Sequence, residues 1–383
     1  MKPLRIGIVG AGPAGLYAAL LLKKANPANQ VLVVERNPAG ATYGFGVVLS
    51  DRTLTAFREA DGPTFDALTA HQATWEAIEV HHRGQPVRCQ GHYYLGIARQ
   101  RLLAVLQGRC EELGADLRFE TDLQDLASFA SGMDLVIGAD GVNSLVRGAY
   151  DGTFQPSLSA GRSRYIWLGL TVAKPVFMFA FHETEYGVFQ AHIYPYGRNR
   201  STCVLMCGDE TWRRAGLDRM NEADSLAFCE RVLAPYTGGA QALSNRSLWY
   251  TFQTVRNQRW SCGCTVLLGD AAHTAHWSIG SGTKLAMEDA IALVRSLEAH
   301  RDVADALAGY EAERRPVVER LQAAGQTSER FFEEIEQITH LDPLEFACQL
   351  MTRSGRIDRD ELRRRDPAFI AALEQTHKKT DLR

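Results

Sequence analysis

The residues best suited to chemistry stand at the start of the chain, in GIVGAGPAG, residues 7 to 15. An apolar run, Leu4–Val9, precedes them and a helix-like stretch, Leu16–Leu22, follows. Gly10 lets a strand turn tightly, Gly12 lets backbone approach a pyrophosphate, and Gly15 lets the following helix pack closely on its strand. Pro13 and Ala14 open that helix, whose N-terminal N–H groups would face the phosphates. A second apolar run, Val31–Val34, ends in Glu35 and Arg36, where the acid could hold ribose hydroxyls. Strand, glycine turn, helix and distal acid together predict a dinucleotide site.

Two further blocks repeat the association of an apolar run with glycine and an acid. In Asp134–Arg147 (DLVIGADGVNSLVR) a strand should end at a crowded point that leaves Asp140 exposed. In Val266–Leu293 a buried strand ends at Gly269-Asp270, and Gly280-Ser281-Gly282 with Thr283 opens a helix running to about His300. Between them lie His273, which reads as structural, and His276 and Trp277, which could face a ligand. Arg99 falls in the first turn of a helix, where a cation opposes the macrodipole unless an anion accompanies it. It is therefore a candidate phosphate or ribose contact.

Other elements must position these groups. Tyr43–Leu54, containing Val47 and Val48, reads as a glycine-bearing loop or strand edge against something flat. Residues 53 to 78 read as helical with a break at Asp61-Gly62-Pro63, and Ile78–Cys89 as a hairpin turning at Arg83-Gly84. An amphipathic helix is expected from Ile97 to Leu113, then a strand over Leu117–Glu120. Residues 155 to about 260 change to short alternating segments, which predict a mostly antiparallel sheet with one face rich in aromatics, Tyr165, Trp167, Phe177, Phe179, Phe181, Phe189 and Tyr194. One face of that sheet could wall a flat apolar ligand. Beyond residue 300 the chain reads as helical and charged, with Pro316 and Pro343 as breaks.

The 383 residues suffice for two domains or one elaborated α/β domain. Hydrophobic content of 45% and charged content of 23% are those of a soluble globular protein. A net charge of −3 offers no global attraction to nucleic acid or an anionic membrane, so any anion must be recognised locally. The eight cysteines are scattered, without zinc-site spacing, and read as reduced. No apolar stretch reaches about 18 residues. The expectations are a cytoplasmic protein, no metal, no nucleic-acid or membrane partner, and an undetermined oligomeric state.

Three separated strand–glycine–acid blocks, with the antiparallel segment between the second and third, resemble the FAD-dependent aromatic hydroxylases, the single-component flavoprotein monooxygenases. GFGVVLSDRTL, WSIGSGTKLAMEDAIAL and LDPLEFACQLMTRSGRI are similar to the salicylyl-CoA 5-hydroxylases and to the flavin half of 2-aminobenzoyl-CoA monooxygenase/reductase. The family commonly has proline where this chain has Trp277, and the acyl-CoA group tends to lack that proline. The resemblance implies an α/β fold in which a Rossmann-like FAD-binding domain is interleaved with a mostly antiparallel substrate domain, followed by a C-terminal helical region. Residues 1–75, 90–154 and 260–300 would form the first, 76–89 and 155–259 the second, and 301–383 the third.

The same resemblance implies that the glycine turn, Glu35 and Arg36 hold the ADP half of FAD. Arg99 would lie beneath the cofactor, Asp140 in the block linked to FAD and nicotinamide, and Asp270 on the ribitol. Gly282 and Thr283 would direct N–H groups at the reduced flavin. The implied reaction uses NADH or NADPH and O2, through a flavin C4a-hydroperoxide, to hydroxylate an aromatic acyl-CoA, with salicylyl-CoA at C5 the expected substrate. His276 and Tyr194 are the candidates for a polar group near the substrate hydroxyl, and Trp277 and Phe45 for walls that exclude water. Because the chain ends at residue 383, no ring-reducing half is expected. Anthraniloyl-CoA or an indole- or tryptophan-derived substrate are the alternatives, and a non-catalytic flavin redox sensor is a further one.

Overall fold

Arg5–Val9 (RIGIV) is buried at every position but its first, as a central parallel strand requires. It pairs in parallel with Gln30–Val34 on one side and Leu135–Gly138 on the other. Thr265–Leu267 extends the sheet beyond Leu135–Gly138, Asp116–Arg118 extends it beyond Gln30–Val34, and Ser261–Cys262 closes one edge antiparallel. The three glycine–acid blocks therefore end on three adjacent strands, although they are far apart in sequence. The helices Pro13–Ala25 and Gly282–Ala299 bury their apolar stripes in the core formed with this sheet. The computed structural model describes residues 2–70 and 72–380.

The alternating segments build a second, larger sheet in the order Ala242–Leu243, Pro156–Leu170, Arg200–Gly208, Gly187–Gly197, Phe177–Thr184, Ile78–His82, Gln85–Cys89, with Tyr250–Asn257 also paired to Pro156–Leu170. All its pairings are antiparallel except that of Ile78–His82 with Phe177–Thr184. The hairpin turns at Arg83 and Gly84, both at positive φ, as the sequence predicts. Period-two alternation divides the side chains between two faces. Met178, Ala180, Phe189, Ala191 and Ile193 pack with Phe228, Val232 and Leu233 of the helix Glu222–Thr237. Phe179, Phe181 and Met206 pack on the other side with Phe332 and Phe346 from the C-terminal helices. Phe189 thus points away from its fellow aromatics.

Several boundaries differ from the sequence expectation. The helical stretch after residue 53 ends at Thr69, and Ala73–Trp75 is a strand because it finds a ladder partner in Tyr94–Ala98. Ile97 and Ala98 belong to that same strand, which also pairs with Gly46–Ser50, so the amphipathic helix starts at Arg99. The third parallel strand is Asp116–Arg118, short and displaced from Leu117–Glu120.

Pro316 does not break its helix, which runs unbroken over Val303–Glu333. Arg314 and Arg315, beside the proline, bolt that helix down through Asp289, Glu288 and the carbonyls of Asn257 and Gln258. Tertiary bonds of this kind offset the roughly 3 kcal/mol that an interior proline costs. Pro343, by contrast, opens a helix, Pro343–Thr352, capped by Asp342.

Candidate functional site

The first glycine turn is built by steric necessity. Gly10 has φ +102°, and a Cβ there would lie 2.4 Å from the Ala139 carbonyl oxygen. A Cβ on Gly15 would lie 2.0 Å from the Gly10 carbonyl oxygen, so the helix could not sit where it does. Gly12 is different. A Cβ there would meet nothing within 4 Å, which leaves an open cradle at the N-terminus of Pro13–Ala25, a terminus with no side-chain cap. Glu35 is half-buried; one carboxylate oxygen accepts the Ala11 amide at 3.0 Å and the other accepts the Asn37 amide and side chain. It ties the turn to the end of the second strand, while Arg36 is exposed.

Asp140 is half-buried rather than exposed. Its carboxylate accepts from Ser144 Oγ at 2.5 Å and from the amides of Leu145 and Val146 at 2.7 and 3.1 Å. Those bonds cap the helix Leu145–Ala149 and account for the acid at this turn. Val47, buried, and Val48, half-buried, lie on Gly46–Ser50, and Phe45 packs on Gly169.

Arg99 opens its helix as expected, donating its amide to Phe45 O at 2.7 Å and its Nε to Thr42 Oγ1 at 3.0 Å. Burial depresses its guanidinium pKa against the pull of Asp270 and Tyr194. Asp270 reaches solvent, yet desolvation raises its pKa against the opposing pull of His273 and Arg99. Asp270 is thus an exposed acid whose electrostatic neighbours include the Arg99 cation.

Gly269, at φ +58°, makes this turn, and its amide donates to Asp289. His273 is structural, as the sequence suggests, because its Nε2 is 2.8 Å from the buried Asp289 carboxylate. Gly280 is in the left-handed region, and Ser281, Gly282 and Thr283 lead into Gly282–Ala299. Open glycines, unopposed helix amides and the neighbouring charges of Arg99 and Asp270 fit a large anionic dinucleotide.

The same segment continues to the aromatic face of the large sheet. Trp277 is half-buried, its ring centroid 5.6 Å from that of Tyr165 and 4.8 Å from that of His192. Phe177 and Tyr194 stack at 5.3 Å, and Trp75 stacks with Tyr194 at 6.3 Å. The Tyr194 hydroxyl is committed, since it donates to the Gly46 carbonyl at 3.0 Å and burial drives its pKa upward. His276 is buried with Nδ1 accepting from Ser278 Oγ at 2.7 Å. Burial, reinforced by Arg353, lowers its pKa to about 3, so it is neutral at physiological pH. Trp277 therefore packs on the aromatic face of the sheet, whereas Nδ1 of His276 and the hydroxyl of Tyr194 are engaged within the protein.

Two residues at this face were not singled out for it by sequence. His192 is buried with Nε2 unpartnered, and its position two residues before Tyr194 is the alternation signal that would have found it. Arg353 lies over the rings of Phe179 and Phe332.

Residues 4–324 match the FAD binding domain family. The chain belongs to that family. The flavoprotein is 39% identical to a salicyloyl-CoA 5-hydroxylase of a Streptomyces species over 378 residues, 96% of this chain and 72% of the relative. It is 37% identical to the 3-hydroxy-4-methyl-anthranilyl-[aryl-carrier protein] 5-monooxygenase of Streptosporangium sibiricum, covering 92% of this chain and 95% of that one. Among solved structures, the tetrameric form of 2-methyl-3-hydroxypyridine-5-carboxylic acid oxygenase superposes with a TM-score of 0.71, 22% identity, and coverage of 94% and 97% of the two chains. That likeness is one of fold. The flavoprotein is an FAD-dependent monooxygenase that draws electrons from NAD(P)H. Among the described residues no helix is long and apolar enough to cross a membrane.

Proposed function

We propose that the flavoprotein hydroxylates an aromatic acyl thioester, with salicylyl-CoA, oxidised at C5 to gentisyl-CoA, as its substrate. The observation that carries this reading is the course of Gly269–Thr283. The segment carries Asp270, electrostatically coupled to Arg99, and then Trp277, set against Tyr165 and His192 of the aromatic sheet face, an arrangement that would hold a dinucleotide and a flat ring side by side. The relationship to the Streptomyces salicyloyl-CoA 5-hydroxylase supports the choice of ring and thioester.

When bound, FAD takes a hydride from NAD(P)H and, with O2, supplies one oxygen atom to an electron-rich ring. The protein supplies binding, orientation and dryness. Gly10, Gly12, Pro13, Ala14 and Gly15 would receive the pyrophosphate, and Glu35 and Arg36 the adenosine end. Arg99 and Asp270 would hold the central ribityl and phosphate region, with Val47 and Val48 alongside. The N-terminus of Gly282–Ala299, with Gly280, Ser281 and Thr283, would set a positive dipole end against the anionic reduced ring system. Asp140 would act through the helix it caps. Residues 1–75, 90–154 and 260–300 form the cofactor unit in this reading, and 76–89 with 155–259 the substrate unit. Trp277 and the sheet aromatics would exclude water from the reacting centre. The eight free cysteines suit a reducing compartment, and we read the enzyme as cytoplasmic.

A second reading, an aroyl group tethered to a carrier protein, is favoured by the match over 95% of the Streptosporangium enzyme. NADH oxidation by the FAD-loaded protein with salicylyl-CoA, free salicylate and anthraniloyl-CoA, with product masses, tests the proposal. Stimulation and gain of one oxygen atom only with salicylyl-CoA is expected. An equal response to free salicylate would remove the thioester from the assignment, and silence with all three would remove the salicyl ring as well.

A further inference from the structure

Arg353 is a cation set into an aromatic wall without a carboxylate to neutralise it. Its Nε donates to Ser328 Oγ at 2.9 Å, Nη1 to the Leu350 carbonyl at 2.7 Å and Nη2 to the Ser278 carbonyl at 2.8 Å. All three acceptors are neutral, and among the described residues no acid forms an ion pair with it. The guanidinium carbon lies 5.3 Å from the ring centre of Phe179 and 5.1 Å from that of Phe332. Burial lowers its pKa to about 10, with Tyr94 opposing and the Arg356 cation adding to the effect. The residue as a whole is half-buried. A cation so placed is costly unless something brings it negative charge.

Two more polar atoms on this face lack partners. They are Nε2 of His192 and Nε1 of Trp277, both buried. The His192 ring is 4.6 Å from Phe179, 4.8 Å from Phe332 and 4.8 Å from Trp277, so the orphaned atoms share the two phenylalanines that carry Arg353. An unneutralised cation and two unpaired nitrogens around one aromatic cluster have the chemistry to receive an oxygen-bearing ring.

We infer that Arg353 receives the oxygen substituent ortho to the thioester, and thereby selects hydroxyaroyl over aminoaroyl substrates. The inference rests on the aroyl-thioester reading given above. A guanidinium can only donate. A phenol or phenolate oxygen accepts, and an anionic acceptor makes the stronger, charge-assisted bond. An aromatic amino group presents two N–H donors, and its lone pair is delocalised into the ring, so it would set donor against donor. Arg353 therefore belongs to the ring site, not to the phosphates of CoA.

The test uses the full chain loaded with FAD and follows the flavin absorbance while salicylyl-CoA or anthraniloyl-CoA is titrated into the parent, R353Q and R353K. The parent should bind the salicylyl thioester about tenfold or more tightly than the anthraniloyl one, the scale of one charge-assisted bond. In R353Q that ratio should fall to near one through loss of salicylyl affinity alone. R353K should keep part of it, since charge remains but the planar fork is gone. A parent ratio near one, or an unchanged ratio in R353Q, overturns the inference. If R353Q does not retain FAD, R353K carries the comparison, and a full parental ratio there overturns it. Should both thioesters be silent while free salicylate and anthranilate bind, the thioester reading fails and the same ratio for the free acids decides the role of Arg353. Silence with all four ligands overturns both.

Discussion

Nε2 of His273 lies 2.8 Å from Oδ2 of Asp289, and the same carboxylate oxygen accepts the amide of Gly269 at 3.1 Å. The other oxygen accepts Arg314 Nε at 2.8 Å, and all these groups are buried. Asp289 therefore holds the turn that presents Asp270, although it is itself fully buried. Burial alone would raise its pKa, but His273 and Arg314 hold it below the ordinary aspartate range. Its contribution to stability is thus complete above about pH 4 and is lost as pH falls towards its own lower pKa. D289N should destabilise the apoprotein by about 3–5 kcal/mol at pH 7, the scale for breaking a buried pair. Urea denaturation of parent and variant measures this, and the gap should narrow on acidification below about pH 4. Equal midpoints at pH 7 would refute it.

The glycine turn was legible because its constraints are local. Gly10 and Gly15 each exclude a Cβ by contact with backbone, and Gly269 combines a positive φ with contacts to Ala14 and Ala286. The sheet was likewise legible from alternation, and Phe177, Phe179 and Tyr194 share one face as expected, whereas Phe189 turns to the other. What sequence did not carry was long-range pairing. Nothing near Tyr194 announces that its hydroxyl is taken by Gly46, and nothing near Pro316 announces the tertiary bonds that keep its helix continuous. The short strand Ala73–Trp75 was read as helix because its ladder partner lies further along the chain. Arg353 and His192 meet at one face only once the C-terminal helices have packed on the sheet.

Gly12 and Gly15 should separate cofactor binding from folding. A methyl group at Gly12 meets no protein atom, whereas one at Gly15 collides with the Gly10 carbonyl. G12A should leave the apoprotein melting temperature within about 2 °C of the parent, the effect of a few tenths of a kcal/mol, while weakening FAD binding about tenfold or more. G15A should lower stability by about 2 kcal/mol or more through overpacking. Calorimetry of the apoproteins, with FAD titration by fluorescence quenching, distinguishes the two. Normal FAD affinity in G12A would mean that the cradle does not receive the cofactor.

Asp270 offers a trade of stability for function. Desolvation raises its pKa in the folded apoprotein, so ionisation disfavours the fold, and the penalty disappears as pH falls below the ordinary aspartate range. D270N should therefore melt higher than the parent at pH 7, with the difference vanishing near pH 3. In the proposed reading it should also bind FAD more weakly, because the acceptor assigned to the cofactor would have lost its charge. Thermal scans across pH, paired with FAD titration, check both halves. A D270N apoprotein that melts lower at pH 7 would contradict the argument.

Tyr194 is held for architecture. Its hydroxyl proton is given to Gly46, so it is not available to a substrate oxygen. Y194F should cost about 1 kcal/mol of stability, one neutral hydrogen bond. Substrate-stimulated NADH oxidation should change less than about threefold, well short of the 10²–10⁴ of a lost acid–base group. A hundredfold fall in turnover with FAD content unchanged would return Tyr194 to the reacting centre.

Trp277 gives the sharpest test of the proposed ring site. Its ring packs against those of Tyr165, His192 and His276, between the glycine–acid segment and the sheet. In the proposed reading, removing it would open the reacting centre to water without touching the glycine turn, Arg99 or Asp270. W277A should therefore retain FAD and continue to oxidise NADH, yet divert reducing equivalents to hydrogen peroxide. With salicylyl-CoA, product formed per NADH should fall severalfold, and W277F should recover much of that loss because a ring again fills the gap. Parallel assays of NADH consumed, peroxide released and product mass measure the partition. If W277A couples oxidation to product as tightly as the parent, the ring site lies elsewhere on the sheet. If NADH oxidation itself collapses while FAD remains bound, Trp277 orients the cofactor and does not shield it.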